Sequence, residues 1–251
     1  MTAGVLYFKH EIAVTKGGNK MAAFVIDSEL FRDQYGTEAM RKVFSDEQLM
    51  QNWLDCWAAL AQVEADLGIV PQEAAEHIAQ CAKSENMDME AVRKGFATTC
   101  HPLMPQIREF ERVCGAKAGG WIHWGATTQD IMDTAVVLQI KAAHKIITEQ
   151  VKKLTRLCLE RAQENKSVVM AGRTHGQHAV PITLGYKIAV WAAEFARHLE
   201  RLEEGAPLSC GRAGGSSRNA GFLGRAGIGC AGRLLPQAWL GRAFDYVACG
   251  A

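Results

Sequence analysis

Charge of one sign, paired cysteines and long apolar runs are what this 251-residue chain lacks. Its 28 Lys and Arg stand against 27 Asp and Glu, a formal net charge of +1. That balance leaves no electrostatic footprint for nucleic acid or an anionic membrane. The eight cysteines (Cys56, Cys81, Cys100, Cys114, Cys158, Cys210, Cys230 and Cys249) are scattered, with no Cys-x-x-Cys and no Cys/His spacing typical of zinc. They read as reduced, buried thiols of a cytoplasmic protein, and no metal or cofactor is expected. No apolar run is long enough to span a bilayer. Lys9 and Lys16 near the start are not joined to an uninterrupted apolar region with a cleavage site, so a signal peptide is not indicated. What the chain does have is a hydrophobic fraction of 48%, enough for the core of one large or two small domains.

Four stretches differ in character. Residues 1–20 are weakly patterned and broken by Lys-Gly-Gly-Asn-Lys at 16–20. They read as a disordered extension, from a start assigned too early, or as a short ordered arm. Residues 21–120 read as a small helical domain and 121–205 as longer helices, so the predicted class is all-α. Ser45 and Gln48 make a capping-box pattern ahead of Leu49, Trp53, Trp57, Leu60 and Leu67 at helical spacing, and Gly68 stops the run. Pro71 opens a short helix to about Lys83. Met89 to Phe96 is another, and Pro102 or Pro105 starts one through Arg112. Residues 115–120 are expected to be a loop. The longest element starts near Thr128 as N-cap, with Asp130 in its first turn, and runs to about Ala162. Val168 to Ala171 is a short extended approach to the histidine loop, and a second long helix runs from about Ile182 to Glu204. The broad apolar stripes of both long helices predict burial on more than one side.

Residues 206–251 break the pattern: ten of the 24 glycines, five arginines, no lysine and the single acid Asp245. The composition reads as a GC-rich gene translated in a shifted frame. A flexible Gly/Arg tail and an ordered compact segment are the alternatives. Few aromatics argue against nucleic-acid binding there.

Three segments gather chemistry at helix starts, where free N–H groups and the positive dipole end favour anions. They are Thr98-Thr99-Cys100-His101-Pro102, the run from Trp121 through His123 to Asp130, and Gly172-Arg173-Thr174-His175-Gly176-Gln177-His178 continuing to Lys187. Imidazoles move protons near neutral pH, and Arg173 can hold a carboxylate bidentately. Together they suit a small polycarboxylate and a proton-transfer reaction. Plainer readings stand beside these. Thr127 and Thr128 could simply cap the long helix, and Asp130 could support its start. His123 beside two tryptophans could be a packed, hydrogen-bonded residue, and His178 could only orient its loop. His77, His144 and His198 read as structural or surface residues without partners.

These segments resemble the fumarase/aspartase superfamily of lyases, closest to its adenylosuccinate lyase and 3-carboxy-cis,cis-muconate cycloisomerase branches. The resemblance covers about residues 26–205. Residues 27–37 (Asp-Ser-Glu-Leu-Phe-Arg-Asp-Gln-Tyr-Gly-Thr) and 122–130 (Ile-His-Trp-Gly-Ala-Thr-Thr-Gln-Asp) carry cycloisomerase-like wording. Gly172 to Ala179 carries the adenylosuccinate lyase wording. The resemblance implies a small helical domain, part of a central bundle of long helices, and a homotetramer whose active sites are each built from three subunits. It also implies β-elimination from a succinyl-type substrate to release fumarate. On that basis His175 is the general acid or its close partner, and His101 assists binding and proton transfer. Thr127, Thr128, Gln129, Arg32, Tyr35 and Thr174 contact substrate, while Arg173, His178 and Asp130 support the loops.

The chain departs from the family's third signature, a Gly-Ser-Ser-x-Met-Pro-x-Lys-x-Asn loop that carries a serine base. Gly215-Ser216-Ser217 is present, but no Met-Pro or lysine follows. The expectation is therefore an incomplete and impaired lyase. The alternatives are a cycloisomerase acting on a carboxymuconate and a non-catalytic helical oligomerisation module.

Overall fold

The computed structural model describes residues 24–205. The two expectations for 1–20 and 206–251 lie outside the described residues. The chain divides after Arg41 into two units. In the first, a short 3-10 turn (Val25–Asp27) precedes helix α1 (Arg32–Tyr35). The Arg41 guanidinium binds this unit together. It donates to the carbonyls of Gly36 (2.9 Å) and Arg32 (3.2 Å) and pairs with Asp33 at 2.5 Å. Arg41 lies in helix α2 (Glu38–Val43).

The second unit begins with α3 (Asp46–Asp66). The Ser45 side chain accepts the Gln48 N–H as expected, and Gly68 (φ 74°) ends the run in the left-handed region. Pro71 caps α4 (Gln72–Cys81), and Asp88 caps α5 (Met89–Thr99) through the N–H groups of Glu90 and Ala91. Helix α6 (Met104–Ala118) starts with Pro105 in its first turn, where a missing N–H costs nothing. The expected loop at 115–120 is a correction. The helix resumes after one non-helical residue, Gly115 (φ 65°, ψ −168°), and passes into a 3-10 turn at Gly119–Trp121. Gly119 is required there, because a Cβ would lie 2.8 Å from the Glu111 carbonyl oxygen.

These helices and the start of α7 (Thr128–Glu164) enclose one apolar core. Trp57, Phe110, Met50, Leu54, Ile78 and Leu103 lie at its centre, and Ile122 and Ile131 close it. Buried amides tie α7 to α3 and to the end of α2: Asn52 donates to the Ala135 carbonyl (3.3 Å) and accepts from Gln48, and Gln139 donates to the Val43 carbonyl (2.9 Å). At 37 residues, α7 is about 55 Å long, and the core reaches only its first turns. Beyond them it packs on α8 (Leu184–Gly205). His144 Nε2 donates to the Leu202 carbonyl at 2.9 Å, so this histidine does have a partner. His198 likewise lies against Glu194 and Arg201.

Between α7 and α8 the expected extended approach is a complete antiparallel hairpin, β1 (Val169–Thr174) with β2 (Gln177–Thr183). Pro181 therefore lies in a strand, and the second long helix begins at Leu184 rather than Ile182. The chain returns to its point of departure: the N–H groups of Leu184 and Gly185 donate to the carbonyls of Val168 (2.8 Å) and Asn165 (2.9 Å). Gly185 makes the helix crossing possible, since a Cβ would meet the Ala162 carbonyl oxygen at 2.4 Å. The architecture is all-α apart from this ribbon. No helix among the described residues is long and apolar enough to cross a membrane.

One core residue conflicts with its surroundings. Glu64 on α3 is 1% exposed, its Oε2 has no hydrogen-bond partner, and burial pushes its carboxyl up to about 8. The folded chain keeps a proton that the unfolded chain gives up in the ordinary carboxylate range. Its contribution is thus intact at acid pH and is lost as pH rises towards about 8. The expected cost is on the order of 1 kcal/mol per pH unit across that window. Glu64→Gln, which cannot ionise, should melt like the parent near pH 5 and increasingly above it towards pH 8, by the thermal midpoints read at about those two values. Parallel pH profiles for the two proteins would refute this.

Candidate functional site

The histidine segments are built by helix ends. Helix α5 closes at Cys100 in the left-handed conformation (φ 51°). The Thr99 hydroxyl donates to the Gly95 carbonyl and accepts the His101 N–H at 3.3 Å. The half-buried His101 ring then turns onto the start of α6, where Nδ1 accepts the N–H groups of Leu103 (3.2 Å) and Met104 (3.0 Å). These donors would otherwise be orphans of the first helical turn. With Nδ1 occupied as an acceptor, the ring proton sits on Nε2. His101 is therefore a helix cap whose other nitrogen is a donor.

His123 has the same arrangement with a different partner. It sits at φ 62°, and its Nδ1 accepts the indole N–H of Trp57 at 3.2 Å, the two rings meeting edge to face. Trp57 is itself buried and stacked on Phe110. The His123 proton is again directed to Nε2. Burial lowers the affinity of His123 for a second proton, the Asp130 carboxylate opposes this, and His101 adds to the lowering. His101, His123 and Asp130 are thus close enough to share one electrostatic environment.

Beside them α7 begins. Its N-cap is Thr127, one residue earlier than the expected Thr128, and the capping box is complete. The Thr127 side chain accepts the Asp130 N–H, and Asp130 Oδ2 accepts the Thr127 N–H at 3.2 Å. Thr127 and Asp130 are therefore engaged in holding the helix start. Thr128 is the first helical residue and half-buried, and the exposed Gln129 donates to Asp133 at 2.5 Å. The first-turn N–H groups and the dipole make this end attractive to a carboxylate.

His175 lies elsewhere. With Gly176 it forms a two-residue hairpin turn, both at positive φ (51° and 77°), the geometry that matches strand twist. Thr174 pairs with Gln177 and Arg173 with His178 across the ribbon. Between Ala171 and Arg173 the register slips. Two residues of β2, Ala179 and Val180, oppose Gly172 alone, and a Cβ on Gly172 would sit 2.6 Å from the Val180 carbonyl oxygen. The slip puts His178, rather than Ala179, opposite Arg173. Arg173, Thr174, His175 and His178 are all exposed.

The expected residues thus fall into separate groups. His101, Thr127, Thr128, Gln129 and Asp130 gather near the start of α7. The hairpin with Arg173, Thr174, His175 and His178 follows the far end of that helix, whose axis is roughly 55 Å long. One chain does not bring His175 to His101. Arg32 and Tyr35 belong to the first unit, both exposed. The expectation that His123 is a packed, hydrogen-bonded residue holds: it rests on Trp57. Among the described residues, the three non-glycine positions at positive φ are Cys100, His123 and His175. Each is one of the motif histidines or adjoins one, and such strain concentrates at functional sites.

A family model described as Lyase matches residues 32–223. An adenylosuccinate lyase of Methanocaldococcus jannaschii is 44% identical over 78% of this chain and 42% of its own length. An N-acetyl-S-(2-succino)cysteine lyase of Enterococcus italicus is 43% identical over 73% of this chain and 40% of its own. The crystal structure of 3-carboxy-cis,cis-muconate lactonizing enzyme from Pseudomonas putida superposes with a TM-score of 0.78 at 34% identity, covering 82% of this chain and 48% of that one. The chain spans about two fifths of the length of the curated relatives it matches.

The cap role of His101 can be separated from its imidazole. His101→Ala should lose about 1 kcal/mol of stability, whereas His101→Asn, whose side-chain oxygen can accept the same N–H groups, should lose only a few tenths. Equal losses in urea unfolding would show that Nδ1 is not the cap.

Proposed function

We propose that this chain, which belongs to the lyase family within the fumarase/aspartase superfamily, takes part in β-elimination from a succinyl-type polycarboxylate to release fumarate, at sites shared between copies. The observation that carries this reading is the separation of the two histidine groups by the length of α7. His101 and the α7 start form one half of a site, and the His175 hairpin of another copy supplies the other half. A homotetramer, the assembly the resemblance implies, pools the long helices so that opposite ends of neighbouring copies meet.

In this reading the first-turn N–H groups of α7, with Thr128 and Gln129, hold a substrate carboxylate, and Thr127 and Asp130 keep that turn rigid. Arg32, Tyr35 and Thr174 add contacts. A base removes the carbon-bound proton β to the leaving group, and the carboxylate stabilises the resulting carbanion. The electron pair forms the alkene as the bond to the leaving atom breaks. His175, exposed on a turn that presents its ring, gives the leaving atom its proton. His101 and His123 offer Nε2–H groups to the developing negative charge. Arg173 and His178, paired across the ribbon, hold the hairpin in shape.

Nitrogen is the favoured leaving atom, from the Gly172–Ala179 wording and the similarity to the M. jannaschii adenylosuccinate lyase. The name of the E. italicus relative makes sulfur a second case. The cycloisomerase reading draws on residues 27–37 and 122–130 and on the P. putida enzyme.

Ultraviolet absorbance of adenylosuccinate and of a carboxymuconate, each incubated with the chain, separates these readings. Loss of adenylosuccinate with fumarate appearing is expected, at an impaired rate because no Met-Pro or lysine follows Gly215-Ser216-Ser217. Turnover of carboxymuconate alone would replace elimination by cycloisomerisation, and turnover of neither by an assembled protein would favour the non-catalytic helical module. His175→Ala should lower turnover about 100-fold or more with its circular dichroism unchanged. Mixing it, after dissociation and reassembly, with His101→Ala should restore part of the lost activity. No recovery in verified mixed assemblies would refute a site shared between copies.

A further inference from the structure

Outside the histidine segments, two thiols and an imidazole meet where α4 lies against α6. His77 and Cys81 are four residues apart on α4, on one helix face, and Cys81 Sγ is 3.7 Å from His77 Nε2. Both residues are half-buried. The third member, Cys114, comes from α6 one residue before the break at Gly115 and is 3% exposed. It belongs to the apolar core against which Cys81 packs, and the two thiols are close enough to interact electrostatically. Both cysteines are free. The three side chains do not form a metal-binding group; among the described residues none of that kind is present.

We propose that Cys81 and Cys114 are a redox-active dithiol, with His77 as the base for Cys81, and that hydrogen peroxide converts them to a disulfide bridging α4 and α6. His77 takes the Cys81 proton, and the thiolate attacks one peroxide oxygen. The O–O bond breaks, Cys81 becomes a sulfenic acid, and the departing hydroxide receives the proton from His77 and leaves as water. The Cys114 sulfur then attacks the Cys81 sulfur. The S–O bond breaks, and the released hydroxide takes the Cys114 proton as a second water. Two thiols lose two electrons and two protons, and one peroxide is reduced to two waters.

The division of roles follows from the surroundings. Cys81 is the more accessible sulfur and the one beside the imidazole, so it meets the oxidant first. Burial, then the neighbouring Cys81, pushes the Cys114 thiol up to about 12. Cys114 therefore stays protonated and unreactive towards peroxide until an electrophilic sulfur forms next to it. The second step is intramolecular between neighbouring groups, which gives it a large advantage over overoxidation. A simple pair of packing thiols would need neither the partial exposure of Cys81 nor the adjacent histidine. Cys56, buried at 1% with its thiol also pushed up by burial, is the inert kind. The bridge would close a loop holding α5 and His101, and so would tie α4 to the helix that His101 caps.

Peptide mapping of the full chain after brief exposure to stoichiometric peroxide, with free thiols alkylated, tests this. A Cys81–Cys114 linked peptide, reversed by dithiothreitol, is expected, along with a thermal midpoint several degrees above that of the reduced protein. Cys114→Ser should stop at a Cys81 sulfenic acid that dimedone traps. His77→Gln should slow bridge formation on the order of tenfold or more at neutral pH. Exposed Cys100 is the internal comparison. Its oxidation while Cys81 and Cys114 both remain alkylatable would overturn the proposal. So would oxidation of Cys114 at the parental rate in a folded Cys81→Ser variant.

Discussion

Helix α7 is longer than the core that seats it, and most of the structure follows from that mismatch. Its first turns are buried through Ile131, Thr134 and Ala135, whereas Ile140, Ile147, Leu154, Leu157 and Leu159 remain 41–57% exposed further along. Helix α8 covers one side, brought close by Gly185, and leaves its own Tyr186, Val190 and Trp191 uncovered. Apolar surface of this extent is costly in water. The same length carries the hairpin away from the helix start, so the demand for cover and the division of the histidines between two ends have one origin.

At both ends the chemistry-bearing groups are held by interactions that also build the backbone. His101 Nδ1 caps α6, Thr127 and Asp130 cap α7, and His123 Nδ1 receives the Trp57 indole. In each imidazole the inner nitrogen is committed, and the outer one is left with the proton. Cys100, His123 and His175 carry left-handed backbone that the surrounding turns enforce. Strain and capping together fix ring orientations that free side chains would sample at random.

Much of the fold was legible because its signals are local. Ser45, Gly68, Pro71 and Pro105 mark helix boundaries through groups within one turn of themselves, and the structure follows them closely. The misreadings share a cause. Only Val168 to Ala171 read as extended, because the partner strand at 177–183 shows itself only once the two are paired. Residues 115–120 read as a loop from glycines that instead allow one break and one close approach. His123 read as a packed, hydrogen-bonded residue and is one, but its partner, Trp57, 66 residues away, came only with the fold.

By itself the sequence determined the helical class and the order and approximate limits of the helices. These depend on hydrogen bonds between residues four apart and on side chains that cap them, information contained in any short window. Tertiary structure decided the His123 tautomer, the bulged register that sets His178 opposite Arg173, the approach of Cys81 to Cys114, and the separation of His101 from His175. Each of those is a relation between segments brought together or kept apart by packing, and no local pattern encodes it.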